Sequence, residues 1–120
     1  NVVYHANYLK FFERARTCLL NLLNINQKEL LNNFGLKFIV RDFSVRIKKP
    51  FSLNEIILVE TRHKYAKNSY ILLEQKALNL DEDYKKRQIY VKSDFQIVMI
   101  DKNNKVKNIK SFLVNTFFKN

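Results

Sequence analysis

The chain has 120 residues, a formal charge of +11 from 22 Lys and Arg against 11 Asp and Glu, and a hydrophobic content of 47 %. That length predicts a single domain, residues 1–120, with one core, and the apolar content excludes intrinsic disorder. The single cysteine, Cys18, excludes an intramolecular disulfide and predicts a small core residue. His5 and His63 are far apart and lack ligand-spaced neighbours, so neither a metal nor any other cofactor is expected. No apolar run reaches the roughly 18 residues of a membrane span, and no signal peptide is visible. The charge favours anionic partners, yet the basic residues are scattered over what reads equally as a solvated surface. The aromatic residues fall at core periodicity and form no stacking face interleaved with Arg, so no nucleic-acid partner is expected. Peripheral association with an acidic membrane surface stays open.

His5 to Leu23 reads as a helix, with Leu9, Phe12, Ala15, Leu19, Leu22 and Leu23 at helical spacing. Phe11 and Leu20 widen its apolar arc, which predicts a helix wrapped by other elements. Asn26 and Glu29 form an N-cap and N3 pair for a second, short helix, and Gly35 suits its left-handed end. From Leu36 the period becomes two. Phe38 and Val40 alternate in one phase and Phe43, Val45 and Ile47 in the other, which predicts a bulge across Arg41-Asp42 before Pro50 closes the strand. A second strand runs from Glu55 to about Lys67, with Ile57, Val59, Thr61, His63 and Tyr65 on one face. Lys67-Asn68 turns into a third, Ser69 to Leu80. After the polar turn Asp81–Lys86, a fourth runs from Gln88 to Ile100 with Ile89, Val91, Phe95, Ile97 and Met99 on one face. Asp101–Lys105 is another turn, and Ser111 to Lys119 predicts a helical turn docking Phe112, Leu113 and Phe117. The order makes an α+β domain, one long helix against an antiparallel sheet.

The stretch Val2-Val3-Tyr4-His5-Ala6-Asn7-Tyr8-Leu9-Lys10-Phe11-Phe12-Glu13-Arg14-Ala15-Arg16 resembles the signature of the hotdog-fold acyl-CoA thioesterases, in the 4-hydroxybenzoyl-CoA thioesterase-like group that includes the Tol–Pal-associated enzymes. Gly35 to Arg41, Val45 to Pro50 and Asn54 to Thr61 resemble that family's following strands in order. The resemblance implies a hotdog, a long helix wrapped by a curved antiparallel sheet. It further implies that a first strand ending in a catalytic Asp precedes the helix, outside the sequence given, so that the chain is expected to be truncated at its N-terminus. It implies a cytoplasmic acyl-CoA thioesterase that hydrolyses an acyl-CoA to the free acid and CoA, acting as a homodimer or homotetramer with its sites at a subunit interface. A non-catalytic acyl-CoA-binding module is the alternative if that Asp is absent. The Asp-x-x-x-x-His and His-x-x-x-Pro sites of hotdog dehydratases and hydratases do not occur.

Thioester hydrolysis needs a nucleophile or general base and fixed donors for the developing oxyanion. Helix openings supply unpaired N–H groups and partial positive charge. The resemblance places the His5 backbone N–H against the thioester oxygen and its side chain in the site. Tyr4 and Tyr8 are candidate substrate contacts, with packing as their other reading. Lys67 and Ser69 at the strand turn are candidates for the CoA phosphates, with Lys64 beside them and Lys48 and Lys49 as a second choice. Glu13 is expected to pair with Arg16, spaced i,i+3. His63, Asp42 and Asp94 are expected to be structural.

Overall fold

A computed structural model describes residues 5–117, with side chains described for 6–115. Helix α1 spans His5–Leu22. It ends where Asn24 takes the left-handed conformation, φ 60°. The Ile25 N–H then reaches the Leu20 carbonyl at 2.9 Å and the Asn24 N–H the Asn21 carbonyl at 3.1 Å, a Schellman closure built on Asn instead of Gly. Helix α2, Gln27–Phe34, starts two residues later. The Asn26 side chain accepts from the Glu29 N–H at 3.1 Å, and Gly35 ends the helix at φ 66°.

Four long strands follow: β1 Lys37–Ile47, β2 Ile57–Ala66, β3 Ile71–Asn79 and β4 Ile89–Ile100. A two-residue strand, β5 Val106–Lys107, pairs with the end of β4, and helix α3 covers Ile109–Phe117. The sheet is antiparallel in the order β1-β4-β3-β2. Helix α3 begins two residues earlier than its sequence suggests. Phe112 and Leu113 pack against the core, while the Phe117 side chain lies outside the described residues.

One sheet face carries the core. The β1–β4 register shifts between Val40 and Asp42. Arg41 is therefore the extra residue, and its Nε donates to Gln96 Oε1 at 3.0 Å. The bulge resolves the phase change in the sequence. Phe38 and Val40 pair with Met99 and Ile97, Phe43 and Val45 with Phe95 and Ser93, and all belong to the helix-facing side. A second bulge, between His63 and Tyr65, was not expected. It pairs Tyr65 with Leu72 and so moves it to the face opposite His63, against the alternation read from sequence.

Helix α1 crosses the inner face with Tyr8 and Phe12 buried, and the Phe12 ring meets Phe95 edge-on at 5.7 Å. The wrapped helix expected from its broad apolar arc is only half realised. Leu22 is 80 % exposed, and Leu9 and Leu23 are also open. Cys18, expected in the core, is exposed, because it lies on the outward arc beside an open groove lined by Phe11, Arg14 and Glu55. Among the described residues, no helix is long and apolar enough to cross a membrane.

Candidate functional site

The opening of α1 is held from one side. Tyr8, in the first turn, is 1 % exposed, and its hydroxyl accepts from the Phe51 N–H at 3.0 Å. Phe51 lies between Tyr8, 6.2 Å away, and Tyr90, 4.4 Å away. The residue after Pro50 thus bolts the helix start to the sheet. That placement gives Tyr8 the packing role rather than the open position a substrate contact needs. The first turn of α1 carries no acidic residue that would neutralise its partial positive charge. His5 is the first described residue of the helix, and its side chain, like all of Tyr4, lies outside the described residues. The first carboxylate in the chain is Glu13. Eight residues of helix put it about 12 Å along the axis from His5.

Midway along α1 lies a polar cluster that sequence reasoning missed. Gln75 on β3 is fully buried. Its Nε2 donates to the Phe12 carbonyl at 3.0 Å and to Thr61 Oγ1 at 2.9 Å, while its Oε1 accepts from Arg16 Nη1 at 2.7 Å. The Ser93 hydroxyl donates to the Gln75 carbonyl at 2.8 Å. One side chain therefore ties the helix backbone to β2 and β3. Arg16 lies with its guanidinium 4.2 Å from the Phe95 ring centre. Burial lowers its pKa, partly offset by the charge of Glu13. The expected Glu13–Arg16 ion pair does not form, since Gln75 and Phe95 take the guanidinium. The available signal was a Gln amid the apolar run of β3, on the face shared by Leu73 and Ala77.

Past Arg16, α1 parts from the sheet and leaves a cavity of 620 Å³. Its floor is Ile71, Leu73 and Ile97, its roof Leu20 and Leu23, and its end wall Leu113 and Val114 of α3. His63, expected to be structural, is exposed and lines the cavity mouth.

Lys67 and Ser69 are exposed in the β2–β3 hairpin, where the Lys67 N–H reaches the Tyr70 carbonyl at 2.8 Å. The same hairpin receives α3, through the Ile109 N–H on the Asn68 carbonyl at 3.0 Å. Its flanks Ala66 and Ile71 line the cavity under the C-terminal half of α1. One chain therefore does not bring His5 together with Lys67 and Ser69. They belong to opposite ends of an 18-residue helix, about 27 Å long. Lys64 is drawn to the outer sheet face, 3.7 Å from Glu74 and 3.5 Å from Asp94. Asp94 is thus structural, as is Asp42, which accepts from the Phe43 N–H at 2.9 Å. Lys48 and Lys49 remain exposed, Lys49 over the Tyr90 ring.

Glu74 is the second buried polar residue the sequence did not reveal, at 3 % exposure. Arg62, Lys64, Lys76 and Lys92 surround it at 3.4–3.7 Å. Burial alone would raise its pKa. A hydrogen bond to Lys76 and the charges of Lys76, Arg62 and Lys92 outweigh that and hold it below the ordinary glutamate value. Among the described residues, no group of three His, Cys, Asp or Glu is placed to hold a metal ion.

A helix opening at a signature-bearing segment, over a sheet in this strand order, can be compared with known proteins. The family model described as the thioesterase superfamily matches residues 1–85. The chain belongs to the thioesterase superfamily. It is 42 % identical over 77 residues to the acyl-CoA thioesterase YbgC of Haemophilus influenzae, covering 64 % of this chain and 57 % of that protein. It is 34 % identical over 74 residues to the Helicobacter pylori acyl-CoA thioesterase YbgC, covering 62 % and 53 %. The matches thus span little more than half of these curated relatives. Among solved structures, a probable thioesterase from Bartonella henselae superposes with a TM-score of 0.77 at 26 % identity, over 90 % of this chain and 85 % of that one. A 4-hydroxybenzoyl-CoA thioesterase crystallised with 4-hydroxybenzoyl-CoA reaches 0.86 at 10 % identity, over 98 % and 86 %, and shares the fold. The hotdog architecture expected for this superfamily member is the one observed.

Proposed function

We propose that the chain is the greater part of a single-domain acyl-CoA thioesterase, which hydrolyses the thioester of an acyl-CoA to the free acid and CoA. The observation that carries the reading is that α1, described from His5 onward, continues the segment that resembles the thioesterase signature. The superfamily match across residues 1–85 and the YbgC likeness support it. In this reading the amides of the first turn, led by that of His5, stabilise the oxyanion, and the His5 side chain lies in the site. The carboxylate that attacks or activates water is an Asp shortly before His5, outside residues 1–120. Glu13 is too far along the helix to replace it. Thiolate is a good leaving group, so one carboxylate and one oxyanion site suffice.

The working unit in this proposal is a homodimer, or a homotetramer built from it, in the cytoplasm. His5 and the Lys67–Ser69 hairpin lie at opposite ends of α1. A two-fold axis that runs two such helices antiparallel brings the helix opening of one protomer to the hairpin of the other, where Lys67 and Ser69 can meet CoA phosphates. Strand β1 suits that axis. It is an edge of the described sheet, 11 residues long, with Ile39, Val40 and Phe43 open to solvent.

Thiol release from a panel of acyl-CoAs tests the reading, using the gene product that includes the sequence upstream of residue 1. Turnover that disappears when the upstream Asp is changed to Asn is the expected result. A product that carries the Asp, folds and turns over no acyl-CoA refutes it. Binding of acyl-CoA without turnover supports the second reading, a non-catalytic acyl-CoA-binding module.

A further inference from the structure

The sheet has a second face, turned away from α1, and its charges stand in rows. Arg46 on β1, Lys92 on β4 and Lys76 on β3 lie directly opposite one another across three neighbouring strands. Strands are about 4.8 Å apart, so three cations share about 10 Å of sheet. Like charges in such cross-strand pairs oppose folding. Glu60 ends the row on β2, and the next row holds Arg62, Glu74, Asp94 and Ser44. Glu74 is shared by Arg62, Lys64, Lys76 and Lys92, and Lys64 reaches Asp94 as well. The cations of the two rows thus outnumber the carboxylates. Arg46 is exposed and has no ion pair among the described residues. The face keeps positive charge that a bound anion would neutralise.

We infer that this outer sheet face docks on the surface of an anionic lipid bilayer. The row lies on the plane of a sheet, and its residues line neither the 620 Å³ cavity nor the groove beside Cys18. A single small anion would find no walls there, whereas a plane of headgroup phosphates meets every cation at once. The Arg62 side chain is 67 % exposed and that of Lys92 42 %, so both reach outward. Single-stranded nucleic acid fits the face less well. Its bases need free rings to stack on, and Tyr65, an exposed ring on this face, stands edge-on to Tyr70. Where β1 pairs with a second copy, two such faces join and the cations presented to a membrane double. The inference stands whether or not the chain hydrolyses thioesters.

Co-sedimentation of the gene product with lipid vesicles tests it. Vesicles of phosphatidylcholine and phosphatidylglycerol should carry the protein down at low salt, vesicles of phosphatidylcholine alone should not, and added salt should release it. Arg46→Gln combined with Lys92→Gln should weaken binding about thirtyfold, the effect of two basic residues close to such a surface. Lys10→Gln combined with Arg14→Gln removes the same charge from α1, on the other side of the sheet. That variant should bind within about twofold of the parent, because its charges are screened from the docked face. Thermal melting checks that both variants are folded. The inference fails if the two kinds of vesicle bind alike, or if the folded sheet-face variant binds as the parent does. It also fails if the α1 variant loses as much binding as the sheet-face variant, since net charge alone would then be at work. A single-stranded oligonucleotide that binds more tightly than the vesicles per phosphate, and needs Arg46 and Lys92 to do so, would make the face a nucleic-acid surface and overturn the bilayer reading.

Discussion

Two side chains show how the molecule handles polarity inside a sheet. Gln75 makes three hydrogen bonds through its amide, two donated and one accepted. Replacing it by Leu keeps the volume but strands the Thr61 hydroxyl and removes the acceptor of Arg16. Gln75→Leu is expected to cost roughly 2–3 kcal/mol, the usual loss for buried polar groups left without partners. Urea unfolding at unchanged m-value measures it, and a loss below about 1 kcal/mol would remove Gln75 as the clamp between α1 and the sheet. Glu74 makes a different prediction. Its pKa in the folded chain lies below the ordinary value of 4.5. Stabilisation by the carboxylate is therefore fully present above the unfolded pKa and disappears as pH falls through the folded one. Glu74→Gln leaves Arg62, Lys64, Lys76 and Lys92 facing one another without their shared anion. The variant should unfold at lower urea than the parent at pH 7, and the gap should narrow as the solution is taken below pH 4.5. A gap that stays constant down to pH 3 would show that the Glu74 charge contributes nothing.

The elements were legible where their signals are local. Caps depend on a few adjacent residues, so Asn26, Glu29 and Gly35 could be read directly. Gly35→Ala is expected to cost about 1–2 kcal/mol, the penalty of an L side chain at left-handed φ. A Cβ there would come 2.8 Å from Lys102 Cε, but that flexible side chain can swing away, so the cost is conformational. Gly35→Asn should cost less than Gly35→Ala, because Asn tolerates this region. Equal midpoints for the Ala variant and the parent would contradict the cap. The bulge at Arg41 was legible because the apolar phase visibly inverts across it. The bulge between His63 and Tyr65 was not, because nothing in the alternation of β2 breaks. What accompanies it is long-range, Lys64 reaching Glu74 and Asp94 on neighbouring strands. Nor could periodicity place Gln75, whose partners lie 59, 63 and 14 residues away. The exposed arc of α1 marks the same limit. Apolar spacing shows that Leu9, Leu22 and Leu23 seek cover, but not whether the cover comes from their own chain.

At the scale of the whole molecule, exposed apolar residues lie on α1, in loops and on the sheet, and the two edges of the described sheet can be compared. Strand β2, the opposite edge of the described sheet, carries Glu60, Arg62 and Lys64 beside the exposed Tyr65. Strand β1 carries charges of its own in Lys37, Arg41, Asp42 and Arg46, but adds the open Ile39, Val40 and Phe43. If β1 pairs with its two-fold copy, light scattering should give twice 14.4 kDa at tens of micromolar protein. Ile39→Lys and Val40→Lys each place a charge where the two copies would meet, and both should shift the mass to the monomer while the far-ultraviolet circular dichroism stays unchanged. Glu60→Lys on β2 should leave the dimer intact. The chemistry would follow the same equilibrium, because the proposed site joins the His5 end of one α1 to the Lys67–Ser69 hairpin of its partner. Specific activity of the gene product that carries the upstream Asp should then fall on dilution through the dimer dissociation range, and fall at higher concentration for Ile39→Lys. A monomer with full activity per chain would place the whole site within one protomer and leave the β1 edge without a catalytic role.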